Sequence, residues 1–156
     1  MMKALNKMLG TLIVSLMGIM VLGCCWQVAT RFLLNNPSKY TEEFLRYALI
    51  WLTMLGMPYA YGQEKHISIN LITKTFQLKN LIKTKMMIEV VILILSIFVL
   101  IMGGTMVMLN SVGQISPAMQ LPMPIYYACL PISGVLMSFY CLVRLVGFIK
   151  EMKEEN

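Results

Sequence analysis

The sequence predicts an all-α polytopic membrane protein with four transmembrane helices and both termini in the cytoplasm. Three observations carry that reading. From Val90 to Val143 the chain runs 54 residues without an Asp, Glu, Lys, Arg or His, and about 20 apolar residues suffice for one helical crossing of a bilayer. Its composition is 58% hydrophobic and 13% charged, where soluble domains average about 25% charged. Its 13 Lys and Arg residues divide ten to three between alternate connections, the bias expected of cytoplasmic and opposite faces.

Charge gaps place the spans in order. Met8 to Thr30 is uncharged between Lys7 and Arg31, and the apolar helix is expected to continue to about Leu34. Val21-Leu-Gly-Cys24 approximates a bacterial lipobox, yet the residues after it stay apolar. A lipidated mature chain would begin polar, so Cys24 is read as a packing residue inside span 1. Pro37 and Ser38 interrupt the chain, and Thr41 is expected to cap a second helix with Glu42 and Glu43 in its first turn, where the helix dipole favours anions. That helix should reach about Gln63. The long neutral run divides at the polar, proline-bearing stretch Asn110–Pro124, giving spans near 87–110 and 123–148. Together with spans near 8–34 and 42–63, these make residues 1–156 a single four-helix membrane domain.

Orientation follows from the same charges. The N-terminus, the connection between spans 2 and 3 and the C-terminus hold Lys3, Lys7, Lys65, Lys74, Lys79, Lys83, Lys85, Arg144, Lys150 and Lys153, while the other face holds Arg31, Lys39 and Arg46. The formal net charge of +6 is therefore topological and needs no nucleic-acid partner. Between spans 2 and 3, Ile67, Leu71, Leu78, Leu81 and Ile82 share one side of a helical wheel. An interfacial helix over 67–85 lying against anionic headgroups fits this pattern. A plain loop is the alternative, because Ile69, Ile72 and Phe76 fall on the opposite side.

The residue inventory excludes several functions. Ionisable side chains at membrane depth are costly and mark ion or proton paths, and the predicted spans carry none at mid-depth. Glu89, one turn from Lys85, reads as an interfacial residue. Span 1 offers only Thr11, Ser15, Gln27 and Thr30 as polar groups. The chain has a single His, no Ser/His/Asp set and no glycine-rich phosphate loop, so no enzymatic activity and no cofactor are expected. Cys24, Cys25, Cys129 and Cys141 form no Cys-x-x-Cys pair and read as small apolar residues. The prolines and glycines inside the spans read as packing devices. Chargeless helices of this kind point to a partner subunit.

Charged and aromatic residues cluster at the ends of spans 1 and 2. Glu42 and Glu43 stand four and three residues before Arg46, so both can pair with it on one helical face. Arg31 reaches the same surface from span 1. The candidate assembly residues are Trp26, Arg31, Glu42, Glu43, Arg46, Trp51 and His66.

Their order resembles the small membrane subunit, the DctQ-like component, of tripartite ATP-independent periplasmic (TRAP) transporters. The likeness runs through Trp26, Arg31, Glu42, Glu43, Arg46, Trp51, Leu55-Gly56, Ala60 and His66-Ile67, then Leu121-Pro122 and Leu130-Pro131 with Gly134. Gln63-Glu64-Lys65 before the His and Asn70 after it depart from the family's usual Arg/Lys-Gly and Asp. The resemblance implies a multi-pass protein of the bacterial inner membrane. It implies a large permease partner carrying the Na+ and substrate sites, a periplasmic substrate-binding protein and surrounding membrane lipids. The expected role is to scaffold the permease during uptake of an organic acid of the C4-dicarboxylate or sialic acid class. A stand-alone homo-oligomeric transporter and an assembly subunit of an unrelated membrane complex are the alternatives.

Overall fold

Apolar runs set off by prolines and charges form long helices. The structure is a computed structural model that describes residues 2–34, 38–63 and 78–154. Helix α1 (Met2–Leu33) is followed by α2 (Lys39–Gln63) and α3 (Leu78–Leu95). A π-helical stretch, Ser96–Gly103, joins α3 to α4 (Gly104–Asn110) without leaving helical geometry. Short α5 (Met123–Tyr127) and long α6 (Cys129–Glu154) complete the chain. Among the described residues the only bridge of β type is an isolated antiparallel pair, Ile115 with Pro122.

The rods lie in a row. α1 packs on α2, α2 on α6, and α6 on α3 and the π-helical stretch. One end of the row, here called proximal, gathers the start of α1, the end of α2, the start of α3 and the end of α6. The distal end gathers the start of α2 and the hairpin between α4 and α5. A small core of Leu9, Leu55 and Tyr140, with Trp51 and Leu136 against it, ties α1, α2 and α6 together.

By length and composition three segments suffice to cross a membrane: Lys3–Leu33, Thr84–Asn110 and Met123–Lys150. α2 differs because Glu42, Glu43, Arg46 and its Tyr, Gly and Pro residues lower its hydropathy. At 25 residues it is nonetheless about 37 Å long. α1 passes through Val21–Cys24 without a break.

Two boundaries differ from the sequence expectation. α2 begins at Lys39, and the capping residue is Ser38 rather than Thr41: the Thr41 N–H donates to Ser38 Oγ at 3.4 Å. α3 begins at Leu78, so residues 78–85 of the proposed interfacial segment belong to the rod itself. Residues 67–77 of that segment lie outside the described residues. Charge gaps mark where a helix leaves apolar surroundings, not where it ends. The break between α5 and α6 has a local cause. Pro131 has no N–H to give the Tyr127 carbonyl, and the ladder resumes with Ile132 N–H to the Ala128 carbonyl at 3.3 Å.

Close approach of α6 to the π-helical stretch depends on glycine. A Cβ at Gly134 would sit 2.8 Å from both Leu100 Cβ and Ile101 Cγ1, and one at Gly104 would sit 2.8 Å from Leu130 Cβ. Removing the Cβ lets the backbones meet, the usual basis of tight helix crossings in lipid. A buried Ser96–Ser138 hydroxyl pair at 2.8 Å closes the same crossing. Gly134→Ala should therefore destabilise the chain by about 1–3 kcal/mol, as overpacked cores do. Gly56→Ala, where a Cβ meets nothing within 4 Å, should be neutral or slightly stabilising. Thermal unfolding in detergent compares them, and equal shifts would contradict the crossing.

Candidate functional site

Polar side chains concentrate at the two ends of the row. At the proximal end, Glu89 of α3 is 6% exposed, buried among the rods. Its Oε1 lies 3.4 Å from Arg144 Nη1 of α6, and its Oε2 accepts the Tyr61 hydroxyl of α2. Arg144 also donates from Nη2 to the Tyr61 carbonyl, and its guanidinium carbon lies 4.1 Å from the centre of the Tyr61 ring. A buried carboxylate needs such partners, because an unpaired charge away from water is costly. Lys85, the expected neighbour of Glu89, instead approaches the Phe148 ring at 5.9 Å. Beside this cluster, Asn6 of α1 donates to the Gly62 carbonyl at 3.3 Å and accepts the Tyr140 hydroxyl. Side-chain bonds thus link all four rods at this end.

At the distal end the expected charge cluster divides. Glu42 pairs with Arg46 at 3.3 Å, with both side chains exposed. Glu43, 7% exposed, turns the other way. Its Oε2 accepts the backbone N–H groups of Ala118 at 2.6 Å and Met119 at 3.3 Å. These belong to a hairpin closed by Ser116 N–H to the Leu121 carbonyl and Met123 N–H to the Gln114 carbonyl, each 3.0 Å. Gly113 and Gln120 take positive φ, 89° and 53°, to turn it. Tyr47 and Tyr126 stack with centroids 3.5 Å apart just below. Glu43 is the peg that fixes the hairpin to α2.

The other candidate residues scatter. Arg31 is exposed and has no ionic partner among the described residues. Trp26 is 59% exposed on α1. Trp51 is partly buried against the Leu9–Leu55–Tyr140 core. His66 lies outside the described residues. A groove of about 780 Å3 runs between Lys39, Glu42, Arg46 and the hairpin. Among the described residues no three His, Cys, Asp or Glu side chains converge. The buried polar groups, Glu89 with Arg144 and Tyr61 at one end and Glu43 at the other, bind helix to helix and helix to loop. Reading the sequence alone missed the Glu89–Arg144 pair. One acid and one base, each near the basic face of its own span, were its only trace.

The model of the DctQ component of tripartite ATP-independent periplasmic transporters matches residues 20–151. A Haemophilus influenzae protein named as a TRAP transporter small permease protein is 27% identical over 145 residues, spanning 93% of this chain and 89% of the relative. The sialic acid TRAP transporter small permease protein SiaQ of Vibrio cholerae is 24% identical over 148 residues, 95% of this chain and 85% of that protein. The isethionate TRAP transporter permease protein DctMQ of Oleidesulfovibrio alaskensis is 30% identical over 114 residues, 72% of this chain but 18% of that longer protein.

Proposed function

Because this chain belongs to the DctQ component family of tripartite ATP-independent periplasmic transporters, we propose that it buttresses the large permease subunit of such a transporter while that subunit moves its solute. It is a multi-pass protein of the bacterial inner membrane and a transporter subunit. The scaffold reading rests on one observation above all. The buried ion pair within the rods, Glu89 with Arg144, is held by Tyr61 and ties α2, α3 and α6 to one another. It leaves no open cluster of ion or substrate ligands among the described residues. The Na+ and substrate sites are assigned to the larger partner.

The solute is an organic acid of the C4-dicarboxylate or sialic acid class, delivered by a periplasmic binding protein. Relatives named for sialic acid and isethionate support a small organic anion. A joint DctMQ name on a longer relative supports direct contact between the small and large subunits.

Residues 1–156 form one membrane domain with four spans and both termini in the cytoplasm. α2 is the fourth span: it lies between α1 and α6, which shield its more polar surface from lipid. The distal end is then periplasmic. Reporter fusions at the N-terminus, near Lys79 and at the C-terminus should report cytoplasm, and one near Pro117 should report periplasm. A periplasmic signal at Lys79 would contradict the four-span arrangement.

Trp26, Arg31, Glu42, Glu43, Arg46, Trp51 and His66 remain the assembly candidates. Arg46 is the cleanest probe, because its pair with Glu42 is exposed and such pairs contribute only about 0–1 kcal/mol to folding. Arg46→Glu should insert normally yet lose most co-purification with the large permease. Wild-type co-purification and uptake would remove this residue from the interface.

A further inference from the structure

A second groove, of about 710 Å3, opens at the proximal end between α1 and α2. Its mouth is basic. Lys3 and Lys7 stand one turn apart on α1, both exposed and without an ionic partner among the described residues. Like charges at this spacing repel mildly, so an anion between them relieves a standing cost. Among the described residues no carboxylate lines the groove. Asn6 is already engaged by Gly62 and Tyr140, and Thr11 gives its hydroxyl proton to the Lys7 carbonyl at 2.9 Å. Tyr59 accepts from Gln63 Nε2 at 2.9 Å, which leaves its own hydroxyl proton available.

The groove's α1 lining ends at Val14 and Ser15, and beyond it the same face of α1 continues as a single helical stripe. Positions 3, 7, 10, 14, 17 and 21 follow one another at spacings of three and four, so they share a face of α1. The face reads Lys3, Lys7, Gly10, then Val14, Met17 and Val21, the last three being 72%, 56% and 54% exposed. Two cations and, further along the same face, an apolar track match a charged headgroup carrying an acyl chain; between them Gly10 is covered by the Tyr59 ring. Inorganic phosphate would have no use for the track. We propose that this groove seats an anionic phospholipid, its phosphate between Lys3 and Lys7 and one acyl chain along Val14, Met17 and Val21.

Native mass spectrometry of the full chain in detergent tests this with phosphatidylglycerol and phosphatidylcholine as probes. Wild-type protein should retain phosphatidylglycerol in preference. Lys3→Gln with Lys7→Gln should weaken its retention about 10-fold and leave phosphatidylcholine unchanged. Lys150→Gln with Lys153→Gln, which removes the same charge from the end of α6, should leave both unchanged. Millimolar inorganic phosphate should not displace the lipid. The proposal is overturned if the Lys3/Lys7 variant holds phosphatidylglycerol as the wild type does. It is equally overturned if the α6 variant loses as much, or if phosphate competes. The measurement needs neither transport nor a known orientation, so its failure is separate from failure of the scaffold reading.

Discussion

Arg144→Ala is expected to destabilise the chain by about 3 kcal/mol, the lower end of the range for breaking a buried ion pair, because the Arg144 side chain keeps 21% exposure. Three contacts go at once: the ion pair with Glu89, the bond to the Tyr61 carbonyl and the stacking on the Tyr61 ring. Glu89 would then be left buried without a cationic partner among the described residues, keeping the Tyr61 hydroxyl and the Cys141 thiol beside it. Glu89→Leu strands the guanidinium in the same way. Replacing both by leucine removes the desolvated charges together, and that exchange is often close to neutral. The double variant should therefore lose less than the sum of the singles, by about 1–3 kcal/mol of coupling. Reversible unfolding in mixed detergent measures all three. Strict additivity would mean that the two residues do not act as a pair.

This pair also marks the limit of what the sequence discloses. The neutral run from Val90 to Val143, broken at Asn110–Pro124, carries the α4–hairpin–α5 layout, because lipid demands apolar surface and prolines interrupt helices. Helix limits are less legible. Lys79, Lys83 and Lys85 read as a loop or interfacial segment, yet α3 already runs from Leu78. Charge is tolerated on a helix that projects beyond apolar surroundings.

Residue roles were misread where the partner lies far along the chain. Glu43 stands three residues before Arg46 and so suggests a local ion pair. The structure directs it to backbone N–H groups of Ala118 and Met119, 75 and 76 residues away. Glu89 and Arg144 are separated by 55 residues, and no local spacing connects them. The π-helical stretch has no sequence signal of its own. It lies where Gly134 presses on Leu100 and Ile101, a contact between rods. The glycines were legible as packing residues, but not their counterparts.

Omitting this chain from its transporter is expected to have the largest effect of all, near-complete loss of uptake. On the scaffold reading proposed above, the chain by itself does not couple solute movement to an ion gradient. A permease built to work against it loses a fixed surface when it is absent. Reconstitution into proteoliposomes tests this claim directly, using radiolabelled sialic acid and C4-dicarboxylates with an imposed Na+ gradient. The chain alone should give no uptake above empty vesicles. The large permease with its binding protein should give little, and adding this chain should restore transport. Uptake by the chain alone, or undiminished uptake without it, would contradict its role as a non-transporting scaffold.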